Sequence, residues 1–191
     1  MRLNLGTAVG FSLTLMAAVP MVHADDYVCD GYCELGPNDE VDNLIVEEGA
    51  TAVLNGTRVD ANIFVRDGAT LEATNIYVGG NIQSDGAASV SVSSSEINGD
   101  FQVDNDGAIL LKRTFVGGSV QLFQNNTRGG DIRVLKNTVE GNVQISSNQA
   151  RRILVKRNVI DGNLQGESNT PDPKCKGNDV QGDTDGQFEG C

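Results

Sequence analysis

The stretch VLKNTVEGNVQISSNQARRILVKRNVIDGNLQ, residues 134–165, says nearly the same thing twice. Its phrase VEGNVQ starts at Val139 and returns as IDGNLQ at Ile160. Within the first copy Val139, Gly141, Val143 and Ile145 alternate with polar residues, so one side of a strand faces inward. Working outward, the phrase reads VDANIF at 59, VGGNIQ at 78, INGDFQ at 97, VGGSVQ at 116 and a decayed VQGDTD at 180, with a weaker VDNLIV at 41. From 59 onward its starts are 19, 19, 19, 23, 21 and 20 residues apart. A unit of that length cannot bury its own apolar side, but stacked neighbours build one continuous core.

A second alternating segment precedes each phrase. Its inward columns are Ala52, Leu71, Val90, Ile109, Ile132, Ile153 and, two residues on, Leu54, Ala73, Val92, Leu111, Val134, Val155. Between the two strands comes a column of mostly small polar or amide residues, Thr57, Ile76, Ser95, Thr114, Asn137, Asn158 and Asn178. Like residues stacked about 4.8 Å apart bond up and down such a column. No segment keeps a helical period past one turn, and the spacings depart too often from 18 for a left-handed hexapeptide solenoid. The expectation is an all-β, single-domain right-handed parallel β-helix (solenoid) of about 7–8 coils, each of 18–23 residues.

Residues 134–165 resemble the coil repeat of right-handed parallel β-helix proteins, the broad group that holds pectate lyases, mannuronan epimerases and many secreted proteins. The end of the chain, GNLQGESNTPDPKCKGNDVQGDTDGQFEGC, is similar to the closing segment of small uncharacterised secreted bacterial proteins with repeated GN-V-Q coils. Those carry a cysteine directly after the final LQ, where this chain has Gly166; the resemblance implies that Cys175 takes over the pairing. It covers residues 41–191 and speaks to architecture rather than activity.

Residues 1–24 carry Arg2, an apolar stretch from Val9 to Val22 and a small-residue exit at Ala24, the pattern of a signal peptide too short to span a bilayer. The expected product is a secreted or periplasmic bacterial protein with no membrane span after cleavage, a cap at 25–40 and the solenoid with a disulfide-closed tail at 41–191. Loss of residues 1–24 removes the single histidine and all three methionines, and Trp is absent throughout. Imidazole catalysis and His-ligated zinc are thereby excluded for the exported chain. With 13 basic against 26 acidic side chains it is strongly acidic, which argues against nucleic acid as a partner. Four cysteines in an exported chain read first as disulfides, most simply Cys29–Cys33 and Cys175–Cys191, with two other connectivities open.

Outward positions of the phrase form two polar columns: Asn62, Asn81, Asp100, Ser119, Asn142, Asn163, and Phe64, Gln83, Gln102, Gln121, Gln144, Gln165. Such amides either satisfy one another in ladders or meet a hydroxyl-rich polymer. Charge is uneven: Lys112, Arg113, Arg128, Arg133, Lys136, Arg151, Arg152, Lys156 and Arg157 face only Asp131 and Glu140 between residues 111 and 157. Lys112, Arg113, Lys136, Lys156 and Arg157 then form a basic stripe over three coils, suited to an anionic polysaccharide or envelope polymer. A lyase would draw on Arg113, Arg133 and Asp131, and a glycosidase on Asp100 with Asp104 or Asp104 with Asp106, but nothing marks these as pairs. The acidic turns Asp39-Glu40-Val41-Asp42 and Asp104-Asn105-Asp106-Gly107 complete no calcium motif, and the aromatic residues look scattered. The reading is therefore a non-catalytic structural or carbohydrate-binding monomer without metal or cofactor. Its alternatives are a polysaccharide lyase or epimerase and a self-assembling scaffold of the bactofilin kind.

Overall fold

Alternation of period two, broken every few residues by Gly, Asn or Asp, makes short strands joined by tight corners. The computed structural model describes residues 25–127 and 129–191 and winds them into a parallel β-solenoid of about eight turns. The expected export segment 1–24 and Arg128 lie outside the described residues. Three sheets run the length of the stack, with nine strands in sheet A, eight in sheet B and eight in sheet C, and there is no helix among the described residues. Coils 1 to 8 open with the sheet A strands Tyr27–Cys29, Leu44–Val46, Ile63–Val65, Ile82–Asp85, Phe101–Asp104, Val120–Phe123, Val143–Ser146 and Leu164–Gly166. Tyr27–Cys29, Tyr32–Leu35 and Glu40–Val41 pair in parallel with coil 2, so this end of the stack is itself a coil.

The register places Ala52, Leu71, Val90, Ile109, Ile132 and Ile153 in one inward column of sheet B. Val59, Val78, Ile97, Val116, Val139 and Ile160 do the same in sheet C. All are at most 2% exposed. Each Val, Leu or Ile among them contributes roughly 1.5–3 kcal/mol on burial, which only the stacked neighbour makes available. Cys29 is paired with Cys33 in the first coil and Cys175 with Cys191 at the last, where Phe188 is fully buried.

Polar ladders line the corners. From coil 2 to coil 8 each corner between sheets B and C holds two residues, and the second belongs to the expected column. There Asn158 Oδ1 accepts the Asn137 backbone N–H at 2.9 Å and its Nδ2 at 3.1 Å, while Asn137 Nδ2 also donates to the Leu111 carbonyl at 3.0 Å. At the corner between C and A the side-chain oxygens of Asn62, Asn81, Asp100, Ser119, Asn142 and Asn163 each accept a backbone N–H from the following coil, at 2.6–3.1 Å. Ala61 precedes Asn62, but Gly precedes the other five, and there it is a steric necessity: a Cβ on Gly99, Gly118 or Gly162 would collide with the ladder oxygen of Asn81, Asp100 or Asn142.

The third ladder, at the corner between A and B, consists of Asp106, Asn125, Asn148, Asn169 and Gln187. The irregular repeat length arises beside it, because the extra residues of the later coils fall at 124–130, 147–151 and 167–173.

Candidate functional site

An outward position in a solenoid meets its equivalent one coil away, so a side chain is available to a partner only where that neighbour does not satisfy it. Much of the polar surface fails this test. The Asn62 to Asn163 column is bonded to backbone along its length. Phe64, Gln83, Gln102, Gln121, Gln144 and Gln165 do form one outward column on sheet A. Gln83 Nε2 donates to Gln102 Oε1 at 2.8 Å, and Gln102 Nε2 to Gln121 Oε1 at 3.0 Å.

The basic residues divide into columns. Lys112, Leu135, Lys156 and Lys176 occupy one position on sheet B. Arg133 lies in the next outward column, between Leu110 and Leu154, and its Nε is buried without a hydrogen-bond partner. Lys136 stacks with Arg113 and Arg157, not with Lys112 and Lys156, since their backbone N–H groups donate in turn to the Leu135, Lys156 and Lys176 carbonyls. These three cations are exposed and stand at the first residue of the B–C corner, with φ of 53°, 60° and 58°. The same position holds Gly56, Asn75 and Ser94 in coils 2 to 4 and Gly177 in coil 8. Left-handed backbone costs an ordinary side chain about 1 kcal/mol or more and favours Gly or Asn, so three consecutive long cations run against local preference. None of the three has a carboxylate within ion-pair distance among the described residues.

Acidic groups sit elsewhere and are differently engaged. Asp131 is 8% exposed and gripped by two guanidinium groups, from Arg152 at 2.6 Å and Arg151 at 3.1 Å, which hold its carboxyl well below the usual range. It is thus committed to Arg151 and Arg152 rather than to Arg133. Asp100 belongs to the C–A ladder. Asp106 is fully buried at the head of the A–B ladder, where it accepts the Ala87 N–H at 2.7 Å and the Ser84 hydroxyl; burial pushes it up to about 7. Asp104 is raised by desolvation and by Asp85, its neighbour one coil away. The three aspartates considered for glycosidic chemistry therefore do not converge. Asp39 accepts the Gly36 N–H at 2.6 Å and tightens its own turn.

Against the expectation of scattered aromatics, Tyr77 and Phe115 share an outward column of sheet C, with Glu96 between them. They line a groove of ≈ 570 Å³ along the B–C corner, together with Arg58, Glu96, Arg113 and Lys136. Sequence comparison of adjacent coils misses the pairing because the two rings are two coils apart. No protein-family model, curated protein or solved structure matches the chain.

Proposed function

We propose that this is an exported, non-catalytic binding module that engages an anionic extracellular or envelope polymer through the basic corner of coils 5 to 7. One observation carries the reading. Arg113, Lys136 and Arg157 form an unbroken column of exposed, unpaired cations in a backbone conformation that Gly or Asn fills better. Local rules broken in consecutive repeats are expected where function outweighs stability. Lys112, Lys156 and Lys176 broaden the positive surface, and the column roots its cations on backbone positions about 4.8 Å apart, so a repeating polyanion meets several at once.

Export accounts for the signal-like residues 1–24 and for the two disulfides, and the kinship proposed is with the small secreted bacterial solenoids of repeated GN-V-Q coils. The test is a titration of the exported protein with acidic and neutral polysaccharides at low and physiological ionic strength, with ultraviolet monitoring for unsaturated lyase products. Salt-sensitive binding to acidic polymers without new absorbance is expected. New absorbance would make the protein a lyase, and salt-independent binding to neutral polymers would move the site away from the cations.

A further inference from the structure

The groove beside the cations changes character along its length. Its outward column on sheet C runs Arg58, Tyr77, Glu96, Phe115, Thr138 and Val159, one residue per coil. Arg113 and Lys136 stand beside Phe115 and Thr138 along one wall. Tyr77 is held from two sides. The Arg58 guanidinium lies 4.3 Å from its ring centroid, and Asn98 Nδ2 donates to its hydroxyl at 2.8 Å. Arg58 is in turn fixed by Asp60 at 2.7 Å and Glu40 at 3.5 Å. An aromatic side chain so braced beside an open groove is set in place before any ligand arrives.

Aromatic faces, a carboxylate acceptor and unpaired cations in one straight groove suit a sugar chain with anionic substituents. Ring C–H faces pack on Tyr77 and Phe115, hydroxyls donate to Glu96, and carboxylates or sulfates meet Arg113 and Lys136. Spacing decides between polymers. Coils repeat about every 4.8 Å, and an extended 1,4-linked pyranose chain advances by nearly the same step per sugar, whereas an extended peptide advances about 3.3 Å per residue and falls out of register.

We propose that the groove holds a linear acidic polysaccharide parallel to the solenoid axis, one sugar per coil, packed against Tyr77 and Phe115 with its anionic groups on Arg113 and Lys136. This rests on the reading of the basic corner as a polyanion site and adds orientation, register and sugar chemistry to it.

The experiment is calorimetric titration of the whole exported protein with size-fractionated oligogalacturonates and alginate oligomers, dimer to octamer. Polyglutamate of matched charge is the comparison. Affinity should tighten with each sugar to about five units, the coils that the groove crosses, and then level off, with polyglutamate at least about tenfold weaker. Tyr77→Ala should weaken the pentamer about fivefold and leave the dimer unchanged, because a dimer on Arg113 and Lys136 does not reach coil 3, whereas Phe115→Leu should weaken both, with thermal melts confirming that the variants fold. Affinity that climbs through the octamer without a plateau, with polyglutamate binding equally well, would overturn the register and leave a general polyanion surface. Absence of binding by every polyanion would overturn both readings.

Discussion

Coils 2 to 4 and coils 5 to 8 share one register and one apolar core, yet differ at the same few columns. At the A–B corner the earlier coils place Ala50, Ala69 and Ala87, all nearly fully buried, where the later ones place Asp106, Asn125, Asn148 and Asn169. At the B–C corner Thr57, Ile76 and Ser95 give way to Thr114, Asn137, Asn158 and Asn178, and Gly56, Asn75 and Ser94 give way to Arg113, Lys136 and Arg157. On the outer face of sheet B the change is from Thr70, Glu72, Thr74 and Ser89, Ser91, Ser93 to Leu110, Lys112, Arg133, Leu154 and Lys156. The difference teaches that one half is a minimal scaffold with small corners. The other half holds longer turns and an unfavourable cation column on two amide ladders, each of whose buried asparagines bonds to a strand carbonyl as well as to the next rung.

Breaking a rung should expose the contrast most strongly. Asn148 donates to the Leu122 carbonyl and Asn169 Oδ1, both at 2.9 Å, and accepts from the Asn125 backbone N–H at 3.0 Å and Nδ2 at 2.8 Å. Asn148→Leu strands these groups in a buried site and should destabilise by about 4 kcal/mol in urea unfolding. Thr57→Val, which loses one bond to the Leu35 carbonyl at 2.9 Å, should cost about 1 kcal/mol. Equal losses would erase the distinction between the halves.

The junction of the two halves is Asp106, and its titration sharpens the comparison. Neighbouring ladder amides donate to the Val103, Leu122 and Ile145 carbonyls, whereas Asp106 presents an oxygen and takes the Ser84 hydroxyl. Burial raises it to about 7, against roughly 3.9 in the unfolded chain. Between these values the native state binds the proton and the unfolded state does not. Its contribution is therefore fully present below about pH 4 and lost as pH rises through about 7. Asp106→Asn should stabilise by about 3 kcal/mol at pH 8 and by little at pH 4, read from melts across that range. Asp131, lowered by Arg152 and Arg151, acts in the opposite sense, so only the difference between variant and wild type isolates Asp106. A pH-independent gain would mean that the carboxyl is ionised throughout.

Smallest in stability but most telling for function is Lys136→Gly. Relief of the left-handed backbone should stabilise by about 1 kcal/mol, while affinity for acidic polymers falls several-fold. A variant that gains stability and keeps full affinity would remove the argument that the cations are there to bind.

The sequence already showed the coil phrase, the inward columns of sheet B and the Asn137–Asn158–Asn178 ladder, because identical neighbours recur one coil apart. The A–B ladder was hidden by the residues inserted at 124–130, which stretch the step from Asn125 to Asn148 to 23 residues where that from Asp106 to Asn125 is 19. Regular steps from Asn125 to Asn148 and Asn169 would have revealed it once the phrase spacing was subtracted. The backbone of Arg113, Lys136 and Arg157 could not be read, since neither residue type favours positive φ. Nor could the braced Tyr77, whose partners Arg58 and Asn98 lie in the coils on either side.

The most direct test of the account is hydrogen–deuterium exchange of residues 25–191 with and without a saturating acidic polysaccharide. Protection along the B–C corner and its flanking strands is predicted, around Lys112–Phe115, Leu135–Thr138 and Lys156–Val159 and reaching Asn75–Tyr77 at the far end of the groove. Protection centred instead on the sheet A column from Gln83 to Gln165 would contradict the account and return the binding surface to the glutamines.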